Sequence, residues 1–210
     1  MKINLKSYKI QDANLDKLVQ ISALHKKEFS THFLGHYSVN LISNFYVNFL
    51  GISIFIVAVN QGLVQGFLLG GNSRNLNLAK SQFIQKNKLH YTVETILRPQ
   101  IYWQALNKIQ SLYALKPTKT MESFEVDDRV RLLSLAVNDD LKGSGLASKL
   151  LTEFERAIAP VQEYGLSVKN SNTRAIKFYQ KNGFVLEKQV DNSIYFLKRL
   201  VDIKSNSKDY

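Results

Sequence analysis

Lys142-Gly143-Ser144-Gly145-Leu146-Ala147 constrains this chain of 210 residues more than any other stretch. It joins an apolar run, Leu132 to Val137, to a strongly amphipathic one, Leu146 to Ile158. The first suits a buried strand. The second suits a helix with Leu146, Ala147, Leu150, Leu151, Phe154, Ala157 and Ile158 on one stripe. Strand, glycine turn and helix start together bring unpaired backbone N–H groups to the positive end of a helix dipole. Glycines let that backbone approach an anion closely, so the turn reads either as a phosphate cradle or as a plain tight turn into a helix.

A hydrophobic fraction of 45% with 21% charged residues describes an ordinary globular chain, and this length gives one domain by default. Cysteine is absent, which excludes disulfides, thiol nucleophiles and cysteine-ligated metals. No metal site is expected. The longest nearly unbroken apolar run, Ile52 to Val59, is too short to span a bilayer, and Met1 to Ile10 has no signal-like apolar core. A cytoplasmic location follows by default. The net charge of +11 calls for an anionic partner or reflects a lysine-rich composition.

Alternation at Ile3, Leu5 and Tyr8 predicts a first strand. Asp12 is a candidate N-cap for a helix carrying Leu15, Leu18 and Val19 on one face. A second helix is expected over Ser38 to Leu50, after a loop with His32, Gly35 and His36. Ile52 to Val59 and Leu63 to Gly71 read as a hairpin across Asn60-Gln61-Gly62. Residues 72–125 read as a helical, basic insertion between strands 3 and 4. Helical spacing runs through Leu76, Leu78, Phe83, Ile84, Leu89 and Val93, Pro99 breaks it, and a further helix covers Tyr102 to Leu115. Eight basic residues up to Lys119 face one acid there, Glu94. Further on, Leu166 to Val168 is a short strand. Asn172 caps a helix that runs through Tyr179 to a stop at Gly183. Phe184 to Val190 and Ser193 to Leu200 close with a hairpin, and 201–210 is a polar tail.

The C-terminal half resembles the GNAT superfamily, the acetyl-CoA-dependent N-acetyltransferases. Leu135-Ala136-Val137 followed by the 142–147 turn matches the family's Gln/Arg-x-x-Gly-x-Gly/Ala signature. Asn172-Thr173-Arg174-Ala175 with Phe178-Tyr179 resembles its Asn-x-x-Ala and helix tyrosine, and Asn182-Gly183-Phe184 its Gly-Phe. The match is strongest over residues 130–200. The resemblance implies an α+β fold: a mixed central sheet of about six to seven strands flanked by helices, in one acetyltransferase domain over residues 1–200. It further implies that Lys142, Gly143, Ser144, Gly145, Leu146 and Ala147 hold the coenzyme A diphosphate. Leu135, Ala136 and Val137 would pair with the pantetheine arm through backbone groups, one strand amide polarising the thioester carbonyl. Asn172 and Ala175 would contact the cofactor, and Lys169, Arg174 and Lys177 would assist with phosphates or form a solvated helix face. Tyr179 would protonate the leaving thiolate.

This chain departs from the family at the general base. Relatives carry a glutamate on the strand matching 130–137, where Arg131 and Ser134 stand here. Glu122, Glu125, His32 and His36 are the alternatives, and the base stays unassigned. Lys142 replaces Gln or Arg and supplies charge without a planar fork.

The reading that follows is an N-acetyltransferase acting on a small primary amine by direct attack in a ternary complex, with an amino sugar or nucleotide-linked amino sugar as the acceptor class. A non-catalytic acyl-CoA-binding module is the alternative. Nucleic-acid binding has no motif behind it, only basic charge. No membrane insertion is expected, and the oligomeric state is open, a homodimer included.

Overall fold

The structure, a computed structural model, describes residues 8–96 and 128–200. The elements follow as β1 (Lys9–Asp12), α1 (Leu18–Glu28), α2 (Val39–Val47), β2 (Ile54–Asn60), β3 (Leu63–Asn72), α3 (Ser73–Lys86), α4 (Lys88–Ile96), β4 (Val130–Val137), α5 (Leu146–Ala157), β5 (Glu163–Lys169), α6 (Thr173–Lys181), β6 (Val185–Val190) and β7 (Ser193–Arg199). Seven strands form one mixed sheet in the order β1-β2-β3-β4-β5-β7-β6. The α+β expectation and the strand count both hold. Among the described residues no helix is long and apolar enough to cross a membrane.

Alternation along the strands gives the sheet two apolar faces. Ile56, Ala58, Leu68 and Leu132 point to the side covered by α5, where Leu146, Leu150, Leu151 and Phe154 pack. Phe55, Val57, Phe67 and Leu69 point to the other side, against Ile21 of α1, Leu41 and Tyr46 of α2, and Leu76 and Phe83 of α3. The α5 stripe follows the sequence pattern except at Ala157, the last residue of the helix, which is exposed.

Two departures occur near the start. Asp12 is the last residue of β1, paired with Ile56, so it caps nothing. Leu15 and Val19 lie 65% and 64% exposed, and the buried stripe of α1 is Leu18, Ile21, Leu24 and His25. Spacings of three, six and seven from Leu18 are what an α-helix presents to one side, whereas Val19 stands about a hundred degrees away. Tyr8 is buried just ahead of β1. Ile3, Leu5, the helix expected over Tyr102 to Leu115, Glu122, Glu125 and the 201–210 tail lie outside the described residues.

The described part of the insertion buttresses α2. Phe83 meets Phe45 edge-on at 5.3 Å. Glu94 of α4 accepts the Ser38 N–H at 2.9 Å and hydrogen-bonds the Ser38 hydroxyl, while the same hydroxyl accepts the Leu41 N–H at 3.1 Å. The carboxylate thus fixes the residue that caps α2.

Two irregularities in β4 position the site. Opposite β3, Leu69 pairs with Ser134 and Gly70 with Leu132, so Leu133 is a bulge residue. Opposite β5 the strands run parallel and pair only at Val130 with Tyr164 and Arg131 with Gly165; beyond that they diverge. A wedge opens in the middle of the sheet.

Close contact between sheet and helix sets a limit at Gly70. A Cβ there would lie 2.6 Å from the Phe154 ring and 2.8 Å from the Arg131 carbonyl. Gly70→Ala is expected to cost about 1–3 kcal/mol, the usual range for overpacking. Chemical denaturation reads this directly, and an unchanged midpoint would contradict the packing.

Candidate functional site

Two cavities meet at the wedge. The larger, about 520 Å³, runs from the glycine turn to α6, with Leu135, Ala136 and Val137 of diverging β4 along it. At one end lies the α5 start. Gly143 and Gly145 have φ of +84° and +92°, left-handed values that glycine adopts without strain, and a Cβ on Gly143 would meet open space. No N-cap side chain closes α5. Ser144 Oγ accepts the Leu146 N–H at 3.2 Å, and the rest of the first turn faces outward as a helix start does.

Cations dominate the rim of this cavity. Arg174, Lys177 and Lys181 recur at helical spacing on one face of α6, and Lys142 closes the opposite side. Lys142 is held by two carboxylates, Asp139 and Glu28, the latter at 2.6 Å and with its side chain 6% exposed. The second Glu28 oxygen is buried without a hydrogen-bond partner.

The smaller cavity, about 290 Å³, shares Phe29, Leu135, Asn172, Ala175 and Tyr179 with the larger one. Its polar walls come from His25 of α1, His32, Ser134 of β4, Ser167 and Lys169 of β5, and Ser193. Among the described residues no carboxylate lines it.

Tyr179 stands where the two cavities meet. Its ring is clamped by Phe178 at 5.2 Å and Phe184 at 5.3 Å, and Phe184 in turn meets Tyr164 at 5.2 Å. Burial pushes the Tyr179 phenol well above its ordinary value, so it remains a proton donor at any working pH. Asn172 Oδ1 accepts the Ala175 N–H at 3.1 Å, which caps α6 at the edge of the shared space.

Most residues expected from the sequence come together here. Leu135, Ala136, Val137, Lys142, Gly143, Gly145, Ala147, Asn172, Ala175 and Tyr179 all line the larger cavity. Leu146 does not, because its side chain is fully buried beneath α5, and Ser144 also stays outside the lining. Lys169 belongs to the smaller cavity, apart from Arg174 and Lys177, since it stands on β5 rather than α6. His32 lines the smaller cavity and His36 neither. Arg74, Lys80, Lys86 and Lys88, the described cations of the insertion, line neither as well.

One residue escaped the sequence reading. His25 is 5% exposed on the apolar stripe of α1, with Nδ1 2.6 Å from the Tyr46 hydroxyl and Nε2 buried without a partner. Burial first, then the neighbouring His32, lowers its pKa to about 3. His32 is itself lowered, by burial and then by Lys169. The available signal was spacing: a histidine seven residues after Leu18 lies on the face that the core must cover.

Residues 111–186 match the family model described as an acetyltransferase (GNAT) domain. The fold is similar to that of PaiA N-acetyltransferase from Thermoplasma acidophilum in complex with coenzyme A, at 15% identity and a TM-score of 0.54, over 92% of this chain and 99% of that one. It is also similar to an N-acetyltransferase from Staphylococcus aureus, at 16% identity and 0.57, over 90% and 98%. An acetyltransferase from Thermus thermophilus aligns at 11% identity and 0.60, over 94% and 100%. No curated protein matches.

Burying neutral His25 links stability to acidity. The unfolded chain takes up a proton near pH 6.5 that the folded chain refuses until about pH 3. Its contribution to stability is therefore complete above pH 6.5 and is lost as pH falls toward 3, at about 1.4 kcal/mol per pH unit in between. His25→Gln should flatten that slope in urea titrations at about pH 7, 6 and 5. Parallel slopes for the two proteins would contradict a neutral His25.

Proposed function

We propose that this chain is a GNAT acetyltransferase, which transfers an acetyl group from acetyl-CoA to the primary amine of a small molecule by direct attack with both substrates bound. The single observation that carries the reading is the junction of two cavities at Tyr179, one long with a cationic rim, the other short and polar.

The larger cavity suits the donor. The left-handed glycines and uncapped α5 start offer N–H groups to a diphosphate, and Arg174, Lys177 and Lys181 offer charge to a ribose phosphate. Leu135 to Val137, freed from β5 by the divergence, would pair with the pantetheine amides, and the orphaned Glu28 oxygen would accept a further N–H. The donor supplies an electrophilic thioester carbonyl. Tyr179 would hydrogen-bond the sulfur as charge develops and hand over its proton as the thiolate leaves. A phenol, at about 10 in water and raised further here by burial, is a weaker acid than a thiol at about 8.5, so this transfer draws on the charge appearing at sulfur.

The smaller cavity suits the amine. Ser134, Ser167 and Ser193 present hydroxyls that support a hydroxylated acceptor such as an amino sugar, and Lys169 would tolerate an anionic substituent on it. A second reading, an acyl-CoA-binding module without turnover, is favoured by one observation: among the described residues neither β4 nor the smaller cavity carries a carboxylate to serve as base.

Calorimetry with acetyl-CoA, then release of free thiol with glucosamine, glucosamine 1-phosphate, a nucleoside-diphosphate-linked amino sugar and spermidine, separates the two. Binding with turnover on at least one amine is expected; binding alone would favour the second reading. Tyr179→Phe should lower kcat about 100-fold while acetyl-CoA affinity stays within about twofold, the loss associated with one acid–base group. Unchanged turnover would remove Tyr179 from the chemistry. Gly145→Val should weaken acetyl-CoA binding at least about tenfold, because a β-branched residue resists the left-handed conformation that shapes the turn.

A further inference from the structure

The smaller cavity contains a base that the family motifs do not name. His25 lines this cavity, and its Nε2 is buried with no hydrogen-bond partner. An orphaned buried nitrogen costs free energy, which a ligand with a complementary group would recover. The other ring nitrogen is already engaged by Tyr46, whose hydroxyl also hydrogen-bonds the Ser134 side chain. Phe29, at 4.7 Å from His25 and 5.2 Å from His32, forms the wall between the two histidines.

We propose that His25 Nε2 accepts an N–H of the attacking amine and takes its proton as the amide forms, with Tyr46 fixing the ring in the Nδ1–H tautomer. This rests on the acetyl-transfer reading above and assigns the base that reading leaves open.

The proposal takes one of the two proton arrangements open to the His25–Tyr46 pair. If Nδ1–H donates to Tyr46 and the Tyr46 hydroxyl donates on to Ser134, Nε2 keeps its lone pair for a ligand in the cavity. The Tyr46 phenol is raised far above its ordinary value by burial, so it stays protonated and keeps the relay intact. The charge that acts on His25, that of His32, works in the same direction as its burial. His32 and Lys169 are the basic neighbours across the cavity, and among the described residues no acid lines it. The ring therefore stays neutral and selects the amine in its neutral, nucleophilic form.

The step balances. The amine nitrogen forms a bond to the thioester carbonyl carbon and becomes cationic in the adduct, far more acidic than the free ammonium. Its proton passes to His25 Nε2, the C–S bond breaks, and the sulfur receives the proton of Tyr179. His25 and Tyr179 line the same cavity, so the proton on the imidazolium returns to the phenolate and both groups are restored.

Nitrogen-15 NMR of the full chain reads the tautomer without an acceptor. An unprotonated Nε2 with a protonated Nδ1 on His25 is expected, and an Nε2–H ring would overturn the assignment. The kinetic arm uses whichever of the amines named above reacts fastest. His25→Gln should lower kcat at least about 100-fold with acetyl-CoA affinity within about twofold, and His36→Gln should leave both unchanged. Added imidazole should restore part of the activity of His25→Ala. Should the His25 variants fail to fold, Tyr46→Phe keeps the aromatic packing and should lower kcat about tenfold. Turnover within about threefold of wild type in His25→Gln, or in Tyr46→Phe when the former is unfolded, would overturn the proposal. A wild-type chain that binds no acetyl-CoA fails the donor reading itself, before any variant is made, and takes this proposal with it.

Discussion

The divergence of β4 from β5 is the constraint on which the remainder of the molecule depends. Parallel strands normally satisfy each other's backbone groups along their length. Here the pairing stops after Val130 and Arg131, so the amides and carbonyls from Leu132 onward on that edge have no strand beside them. Exposed backbone inside a sheet is costly unless something polar occupies the gap. The Leu133 bulge turns the strand further, and α5 and α6 stand on the two sides of the opening. The fold thus maintains an opening in its own sheet, and both cavities are consequences of it.

What keeps the opening from collapsing is aromatic packing beneath it. Phe154, Tyr164, Phe184 and Tyr179 form a continuous edge-to-face chain from α5 through β5 to α6. Tyr164 donates to Glu155 at 2.6 Å, and Lys198 binds the same carboxylate oxygen at 2.6 Å, so the Tyr164 hydroxyl is paired at the rim. Rigid rings fix the angle between α6 and the sheet, and with it the position of the Tyr179 hydroxyl. On the opposite face, the α1–α2 pair is held by a second aromatic group around Tyr46, Phe55 and Phe67. Both faces of the sheet beside the wedge are thus backed by packed aromatic rings.

Local signals were legible where one short stretch determines one feature. The glycine turn, the Asn172 cap, the Gln61-Gly62 turn and the apolar stripe of α5 all needed only neighbours in sequence, and the structure has them. Asp12 and Val19 were misread because β1 pairing and the phase of α1 depend on β2 and the core, far along the chain. Lys169 was grouped with Arg174 and Lys177 by proximity in sequence. A strand and a helix diverging from one loop send those charges into different cavities. His25 was invisible for the same reason: nothing within α1 tells that its stripe faces an opening rather than packed side chains.

If His25 is the base, as proposed, the charge distribution explains why a histidine suits this position better than an acid would. A carboxylate buried beside Tyr46 and the cavity would lose its hydration, and its charge would draw Lys169 and any ammonium substrate into ion pairs that favour the protonated, unreactive amine. A neutral imidazole needs only one hydrogen bond for one nitrogen and leaves the other as an acceptor. Burial first, and then the neighbouring His32, hold the ring unprotonated. The acid that does lie near the wedge, Glu28, is bound to Lys142 on the donor side and is kept out of the smaller cavity. On the proposed assignment, this separation of charge, with Glu28 confined to the larger cavity, leaves the amine a site whose base is uncharged.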